Sequence, residues 1–306
     1  MADDIILHHF DASPFSEKIR VIFGLKKVTW KSVLISRIMP RPDLMPLTGG
    51  YRRTPVMQIG ADIFCDTQII IAELERRFPN PTLLPDRNEG LPWLVGLWSD
   101  RVFFQNTVNL VFGKLGDSVP EEFIADRAKL RGAPFDVAAM RAALPHWRDQ
   151  FRSHCDRIDA QLTGRSWLLG DFSLADVNAY MNVWYARTNL ADESERLLAE
   201  FPALVAWEKR IKILGHGNRT EMSKQDALKI GTEAKPRSTV AADPHDPAGL
   251  MPGDRVTVTP DDYGKVGVAG MIVSLSAQHI AIRRNDPLAG DIVVHFPRTG
   301  FAVTKG

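Results

Sequence analysis

Ser13, directly before a predicted helix, is the first residue whose position suits chemistry as well as structure. The surrounding sequence is DASPFSEKIR, in which Ser13 suits the N-cap, Pro14 the first helical position and Glu17 the first turn. Free N–H groups at a helix start favour an anion, and a hydroxyl there can donate a hydrogen bond to it. A thiolate is one such anion, since helix N-termini lower thiol pKa values. Taken alone, the motif predicts a plain helix cap.

Two more motifs in the first part of the chain have residue types that suit ligand binding, the second of them the head group of an α-amino acid. In RRTPVMQIG, a cis bond between Thr54 and Pro55 would turn the backbone groups of Thr54 toward a ligand, whereas a trans proline would only begin a strand. In CDTQIIIAELE, Thr67 is predicted to be an N-cap with Asp66 beside it. Thr67 would hold a carboxylate and Asp66 an ammonium. The alternative for this pair is again a plain cap.

The elements around these motifs predict a small α/β domain over residues 1–85. IILHHF and TWKSVLI favour strands, and TPVMQIG and DIFCD favour a hairpin. SPFSEKIRVIFGLKK and TQIIIAELERRF have the apolar spacing of helices. The order is therefore βαβ followed by ββα.

Three further segments complete the predicted organisation. Residues 86–230 have helical apolar spacing without strand-like alternation, which indicates an all-helical domain. Residues 231–249 are rich in Pro, Gly and Ala and are interpreted as a linker. In residues 250–306 the apolar period changes to two, which favours a small β-barrel similar to SH3-like modules. A module of this size is marginal alone, so we expect it to lean on the rest of the protein.

Composition and charge exclude several classes of protein. The chain has 38 Lys and Arg against 37 Asp and Glu, so no overall field favours nucleic acid or an anionic membrane. Cys65 and Cys155 offer no zinc or CxxC spacing, no metal site is predicted, and His279 and His295 are expected at surface or edge positions. The N-terminus has no basic segment of a signal peptide, and no stretch approaches the ~18 apolar residues of a membrane span. We therefore expect a cytoplasmic protein.

The order and spacing of the three motifs resemble the N-terminal domain of cytosolic glutathione transferases. Later in the chain, GDFSLADVNAYMN is similar to that family's helical folding element: Ser173 and Asp176 suit a capping box, and Phe172 and Val177 a hydrophobic staple. The resemblance covers about residues 4–230 and leaves the C-terminal β segment outside. It implies a thioredoxin-like N-terminal domain, a helical C-terminal domain and a homodimer.

The resemblance also implies a role for each matched residue. Ser13 would hydrogen-bond the sulfur of glutathione and help to hold it as thiolate. Thr54, before a cis-Pro55, would pair through its backbone with the cysteinyl part of the tripeptide. Asp66 and Thr67 match a pair that usually reads Glu-Ser in the family and binds the γ-glutamyl end.

The remaining expectations concern the glycyl end of glutathione and the second substrate. Arg53 lies near the family's basic position before the proline and would help to bind the glycyl carboxylate. The thiolate would attack an electrophilic carbon in a hydrophobic pocket between the two domains. We expect this pocket to be lined by Phe15, Trp98, Phe103 and Asn106. The implied ligands are glutathione and a small hydrophobic electrophile, as in a detoxifying transferase.

Other functions remain open at this point. The same bound thiolate would serve glutathione-dependent isomerisation, dehalogenation or peroxide reduction. Serine rather than cysteine at residue 13 argues against thiol-disulfide exchange and for activation of the thiol. A function of a different class is that of a non-catalytic glutathione-binding or scaffold protein, in which the β segment holds a partner or covers the dimer.

Overall fold

The alternating strand and helix patterns near the N-terminus form part of a mixed sheet in the computed structural model, which describes residues 4–85 and 89–306. The elements here are β1 (Ile6–His9), α1 (Pro14–Leu25), β2 (Thr29–Leu34), α2 (Met45–Thr48), β3 (Val56–Ile59), β4 (Asp62–Cys65) and α3 (Thr67–Arg77). β1 is parallel to β2 and antiparallel to β3, and β3 forms a hairpin with β4. The predicted strands, helices and thioredoxin-like arrangement are confirmed.

A helical part follows, and its predicted start at residue 86 lies outside the described residues. The helices are α4 (Leu91–Leu97), α5 (Phe104–Leu115), α6 (Glu121–Arg131), α7 (Val137–Ala142), α8 (Leu144–Leu162), α9 (Leu174–Leu198) and α10 (Pro202–Lys212). A π-helical segment, Trp98–Phe103, joins α4 to α5, and a short 3₁₀ turn, Gly116–Ser118, follows α5. α9 is kinked at Ala191, where φ is +25°. The predicted helical domain is thus present.

The start of α9 is held by a capping box that extends beyond its own turn. As predicted, Ser173 and Asp176 form the box. The Asp176 carboxylate also accepts hydrogen bonds from Leu168 N–H at 2.9 Å and from Trp207 Nε1 at 2.8 Å. Burial raises the pKa of Asp176, and these donors oppose that rise. One carboxylate therefore ties α9 to α10 and to the preceding loop.

One segment inside the predicted helical domain is a strand. Residues Asn218–Glu221 form β5, which is parallel to β2, and α11 (Lys224–Glu233) follows. The expectation that residues 86–230 are helical throughout is wrong here. The sequence NRTE contains no apolar residue, and this edge strand is mostly exposed, so alternating hydrophobicity could not signal it.

The C-terminal strands continue the N-terminal sheet. They are β6 (Arg255–Pro260), β7 (Val268–Leu275), β8 (His279–Asp286), β9 (Gly290–Pro297) and β10 (Phe301–Lys305). β9 is parallel to β4, with Ile63 opposite Val294. The described strands therefore form one sheet in the order β10-β6-β7-β8-β9-β4-β3-β1-β2-β5. The predicted C-terminal β segment is present, and it contacts the rest of the protein through backbone pairing of β9 with β4.

This β extension shares a hydrophobic core with one face of the N-terminal sheet. The shared cluster includes Ile6, Val33, Leu47, Val56, Ile63, Val258, Ile280, Ile282, Val294 and Phe296. A domain of about 60 residues buries only about 60% of the surface of its unfolded chain, which makes it marginal alone. Sharing the core with the neighbouring sheet supplies the missing burial. The opposite face of the N-terminal sheet contributes to a second core with α1, α3 and the helical part.

Asp62, at the start of β4, anchors the β extension through hydrogen bonds. Its carboxylate accepts from Arg237 N–H at 2.8 Å, from Ser238 Oγ and from His295 Nε2 at 3.0 Å. Burial acts to raise the pKa of Asp62, but these donors lower it below its ordinary value. The expectation that His295 lies at the surface is wrong, because the pairing of β9 with β4 buries it against Phe64, with ring centres 4.3 Å apart.

Replacing Asp62 with alanine is expected to lower the free energy of unfolding by about 3 kcal/mol, because several buried donors lose their acceptor. Urea denaturation measures this loss. Asp291→Ala is the matched control within β9, since Asp291 pairs with Arg283 in an exposed ion pair worth at most about 1 kcal/mol. Equal losses in the two variants would contradict the anchoring role of Asp62.

Candidate functional site

Ser13 begins α1 and lines a cavity of about 700 Å³, which we call the serine cavity. Its Oγ accepts a hydrogen bond from Ser16 N–H at 3.2 Å, so the predicted N-cap is confirmed. Ser13 is 3% exposed, and in the described part of the chain no group accepts the hydrogen of its hydroxyl. Ser16 is fully buried and does not line the cavity. Of the two serines, Ser13 is therefore the one placed to donate to an anion at the positive end of α1.

The Thr54–Pro55 peptide bond is cis, the geometry that the sequence analysis requires for a ligand-facing corner. Both residues lie next to β3, and Thr54 lines the serine cavity. Thr54 Oγ1 accepts a hydrogen bond from Arg41 Nη1 at 3.1 Å. Within residues 4–85 and 89–306, its backbone N–H and C=O have no hydrogen-bond partner. The corner thus presents one donor and one acceptor, which is what an extended peptide needs for pairing.

Asp66 and Thr67 begin α3 beside a second cavity of about 630 Å³, which we call the aspartate cavity. The N-cap is Asp66, whose Oδ1 accepts from Gln68 N–H at 2.9 Å, so the prediction that Thr67 is the cap is wrong by one residue. Asp66 has a φ of +96°, outside the helical region, and Thr67 is therefore the first helical residue. Such backbone costs about 1–3 kcal/mol and is typical of functional sites. Burial raises the pKa of the Asp66 carboxyl, and a neighbouring cation would stabilise its charged form.

Lys18 and Asp100 form an ion pair in the wall of the aspartate cavity. Lys18, from α1, is 1% exposed, and Asp100 belongs to the π-helical segment. Burial raises the pKa of Asp100, and Lys18 opposes that rise. This pair could not be predicted from local spacing, because its members lie 82 residues apart and outside the three motifs. The available signal was the lysine one turn after Phe15 on an otherwise apolar helix face.

The two cavities adjoin one another. Their shared lining residues are Phe15, Arg53, Thr54, Asp100, Arg101, Asp262 and Tyr263. Ser13 lines the serine cavity, Asp66 and Thr67 line the aspartate cavity, and Thr54 lines both. The fold therefore brings the three sequence motifs to one continuous region, although they come from different elements.

Arg53 contacts the β extension at the junction of the cavities. Its Nη2 donates to Asp262 and to the Tyr263 carbonyl oxygen, and its guanidinium lies 4.0 Å from the centre of the Tyr263 ring. Gly264 N–H, in the same loop between β6 and β7, donates to Leu130 O at 2.6 Å in α6. The loop thus connects the N-terminal sheet to the helical part. The predicted role of Arg53 with a ligand carboxylate stays a prediction, since such a carboxylate must compete with Asp262.

The expected lining of the substrate pocket needs correction. Phe15 lines both cavities, but Trp98, Phe103 and Asn106 line neither. Phe103 is fully buried and stacks on Trp98, with ring centres 5.4 Å apart, and Asn106 hydrogen-bonds a histidine of α8. The π-helical segment accommodates an extra residue in the helix and so rotates the residues that follow. Phe104, rather than Phe103, therefore lines the serine cavity.

The serine cavity is also lined by arginines that belong to none of the three sequence motifs. Among its lining residues are Arg37, Arg41, Arg52 and Arg127. Three of these fall within residues 37–52, a stretch with one acidic residue, so the local excess of arginine was a usable signal. The fourth comes from α6 and has no local signal. Asp262 and Tyr263 had none either, since only the tertiary structure brings them to Arg53.

The described residues contain no group of three or more His, Cys, Asp or Glu side chains placed to hold a metal ion. None of the described helices combines the length and the hydrophobicity that crossing a bilayer requires.

Cys65 and Cys155 are both buried, and burial raises the pKa of each thiol. Neither cysteine is among the lining residues of the serine cavity or of the aspartate cavity.

Two sequence models of known families match the chain. The model described as "Glutathione S-transferase, N-terminal domain" matches residues 7–82, and the one described as "Glutathione S-transferase, C-terminal domain" matches residues 141–210. Residues 211–306, which include the β extension, lie outside both matches.

Comparisons with individual proteins agree with these matches. A GST-like protein of known structure from Pseudomonas syringae is 32% identical, with a TM-score of 0.83 over 100% of both chains. A glutathione S-transferase from Rhodospirillum rubrum is 23% identical, with a TM-score of 0.55 over 68% of this chain and 87% of its own, and shares the fold. "FtsZ-localized protein A" from Caulobacter vibrioides is 28% identical over 187 residues, which is 58% of this chain and 75% of that protein.

The likeness to the Pseudomonas protein extends over the full length of both chains, so it includes the β extension as well as the two matched domains. The cis-proline corner between two helix starts lies within the matched N-terminal domain. On this evidence of sequence, fold and site geometry together, the chain belongs to the glutathione S-transferase family.

Proposed function

We propose that this protein is a glutathione transferase, which binds glutathione as thiolate and conjugates it to a hydrophobic electrophile. The observation that carries this proposal is the position of Ser13. Among the described residues no group accepts its hydroxyl hydrogen at the N-terminus of a 12-residue helix, and none pairs with the backbone of Thr54 in the same cavity. A sulfur atom of a ligand bound to the backbone of Thr54 would lie beside both the Ser13 hydroxyl and the positive end of the α1 dipole.

The tripeptide would extend from the serine cavity into the aspartate cavity. The backbone of Thr54 pairs with the cysteinyl unit, and the cis-Pro55 keeps that backbone turned toward the ligand. Asp66 receives the γ-glutamyl ammonium, which stabilises the charged form of a carboxyl whose pKa burial raises. Thr67 binds the γ-glutamyl carboxylate, and Arg53 assists the glycyl carboxylate.

Ser13 acts on the sulfur by favouring its ionised form. A free thiol has a pKa of about 8.5 and is mostly protonated at neutral pH. A hydroxyl donor and the helix dipole together would lower that value by about one to two units, and the proton leaves to solvent. With an aryl halide, the sulfur lone pair forms the new carbon–sulfur bond, the carbon–halogen bond breaks, and halide departs with its electron pair.

A non-catalytic binding role is the second candidate. One observation favours it: the relative from Caulobacter is named for its localisation with FtsZ rather than for a reaction. The loop between β6 and β7 also contacts Arg53 at the junction of the two cavities. In that role the protein would hold glutathione or a protein partner without turnover.

We also propose that two copies associate through α4 and the π-helical segment. Leu91, Leu94 and Val102 are 45%, 61% and 52% exposed, which is high for large apolar side chains that lie close together in sequence. The same face of a second copy, related by a twofold axis, would cover them.

Ser13→Gly is expected to lower kcat/KM for chlorodinitrobenzene with glutathione by about 10- to 100-fold, because the hydroxyl donor is lost. Glycine is a good N-cap, so stability should change by only a few tenths of a kcal/mol. The pKa read from the pH dependence of kcat/KM should rise toward about 8.5. Ser223→Gly, at the N-cap of α11, is the matched control, since Ser223 caps a helix in the same way but lines neither cavity.

Three results would contradict this assignment. Full activity of Ser13→Gly would show that another group activates the thiol. Retention of the wild-type protein on immobilised glutathione without turnover of any electrophile would favour the binding role. Failure to bind glutathione would favour a scaffold.

Asp262→Asn is expected to lower KM for glutathione by about 3- to 10-fold, because Arg53 is released from its ion pair and can bind the glycyl carboxylate. Arg53→Gln should raise the same KM. Steady-state kinetics with varied glutathione measure both effects. Asp261→Asn is the control, since Asp261 lies 3.7 Å from the exposed Arg101. A higher KM in Asp262→Asn would mean that the loop supports the glutathione site.

Leu94→Glu is expected to convert a species with the mass of two chains into one with the mass of a single chain, since a buried charge opposes association. Sedimentation velocity measures the mass. Ile213→Glu is the control, because Ile213 is 83% exposed and lies after α10, away from α4. A single-chain mass for the wild-type protein would overturn the proposed dimer.

A further inference from the structure

One wall of the aspartate cavity belongs to the β extension. The wall lies at the start of β8, the end of β9, the turn at residues 298–300 and the start of β10. Its residues are Gln278, His279, Pro297, Thr299, Gly300 and Phe301. None of the groups that the proposed function assigns to glutathione comes from this wall.

The side chain of Gln68 connects the wall to Asp66. Gln68 Nε2 donates to Asp66 Oδ1 at 3.4 Å and to the main-chain oxygen of Thr299 at 3.3 Å. Both distances exceed the usual range of an N–H···O hydrogen bond, about 2.7–3.2 Å, so the two bonds are weak. Since both oxygens lie close to the same nitrogen atom, a single ligand nitrogen at that position would contact both of them.

These two acceptors have few other partners within residues 4–85 and 89–306. Asp66 Oδ1 also accepts from Gln68 N–H at 2.9 Å, whereas no described group donates to Asp66 Oδ2. The Thr299 oxygen accepts from no described group except Gln68. Lys18 and Arg53 have their ion pairs with other carboxylates. In this part of the chain, the hydrogen bonds to the Asp66 carboxylate therefore come from neutral donors.

A primary ammonium suits this position better than the amide of Gln68 does. It has three N–H donors and a full positive charge, whereas the amide is neutral. Hydrogen bonds that involve an ionised group are about twice as strong as those between neutral groups. Burial raises the pKa of the Asp66 carboxyl, and a cation in contact with it would oppose that rise. An ammonium would therefore displace the Gln68 amide, whose two bonds are long.

The turn at residues 298–300 holds the Thr299 oxygen in place. Arg298 Nη1 donates to Asp246 Oδ2 at 2.8 Å, which ties the turn to the segment before β6. Gly300 has a φ of +86°, in the left-handed region that favours glycine. The acceptor is thus positioned before a ligand arrives, which reduces the cost of ordering it on binding.

We propose that the aspartate cavity contains an ammonium-binding site formed by two parts of the protein, the Asp66 carboxylate of the N-terminal domain and the Thr299 carbonyl of the β extension, with the Gln68 amide as the group that the ligand displaces. The identification of this ammonium with the γ-glutamyl amine of glutathione rests on the proposed function. Binding itself requires no turnover. The β extension thereby favours ligands that have a free amino group.

The test compares S-methylglutathione with its desamino analogue, in which a hydrogen atom replaces the amino group. Isothermal titration calorimetry of the full chain measures the dissociation constant of each compound. We expect the wild-type protein to bind S-methylglutathione at least about tenfold more tightly, since hydrogen bonds to a charged group contribute about a factor of ten or more.

Gly300→Ala is expected to reduce this preference by about 3- to 10-fold, with little effect on the affinity for the desamino analogue. Alanine disfavours the positive φ, and its Cβ would lie 3.3 Å from Arg101 Nη2, so the turn and the Thr299 oxygen shift. Gly290→Ala is the matched control, since Gly290 also has a positive φ, +72°, at the start of β9 but does not line the cavity. This control should keep the preference, and near-ultraviolet circular dichroism verifies that both variants are folded.

Gln68→Ala tests the displaced group. Its affinity for S-methylglutathione is expected to rise by about 2- to 5-fold, because a competing donor is removed, while its affinity for the desamino analogue stays the same. Gln225→Ala is the matched control. Gln225 is likewise the second residue of its helix, with Nε2 3.4 Å from a carboxylate oxygen of Asp43, but it lines neither cavity.

Two outcomes would overturn the proposed ammonium site while leaving the transferase activity possible. One is an amino-group preference as large in Gly300→Ala as in the wild-type protein, and the other is an unchanged affinity of Gln68→Ala for S-methylglutathione. A preference that depends on Gly300 in a protein that turns over no electrophile would support the site and contradict the transferase activity. Absence of binding of both compounds to the wild-type protein would overturn both proposals. The failure of one proposal is therefore distinguishable from the failure of the other.

Discussion

The parallel pairing of β9 with β4 is the interaction on which the rest of the structure depends. It converts an edge of the N-terminal sheet into an interior position and lets two segments, each marginal alone, bury one common core. Asp62 reinforces the junction with three hydrogen bonds. With the β extension fixed in this way, the loop between β6 and β7 reaches Arg53 and α6, and so becomes part of the candidate site.

The candidate site combines preorganised polar groups with charges that lack full compensation. The Ser13 hydroxyl, the Thr54 backbone and the positive-φ Asp66 are held by local structure, and each leaves an interaction for a ligand. The buried charged side chains differ from these polar groups. Moving a charge from water into the protein costs free energy unless an opposite charge lies beside it. Lys18 and Arg53 have such partners, whereas Arg52 and Arg127 share the single carboxylate of Asp126. The uncompensated charge is the feature that distinguishes the serine cavity from a simple hydrophobic pocket.

Local sequence patterns predicted the elements well where a segment is buried on one face. The period of two in β6 identified the inward residues Val256 and Val258, and the outward residues of this strand are not buried. In β9 the same period identified Ile292 and Val294, but it did not indicate that Val293 and His295 on the other face are buried as well. The same reasoning failed for β5, whose exposed residues have no apolar alternation. It also failed for Trp98 and Phe103, which stack on each other, and for Asn106, which follows a π-helical segment that changes the helical phase and that no propensity rule signals.

The sequence by itself determined the family resemblance, the helix caps at Ser13 and Ser173, the strand that follows Pro55, and, to within one residue, the start of α3. These features depend on interactions between residues a few positions apart, and the spacing of residue types along the sequence predicts such interactions. Only the tertiary structure decided which residues surround the site: the ion pair of Lys18 with Asp100, the contact of Arg53 with Asp262, and the convergence of Arg127 on Arg41. The physical reason is that burial and charge compensation depend on contacts between distant segments, such as Arg53 with Asp262, 209 residues apart, and Asp62 with His295, 233 residues apart. No local pattern specifies those contacts.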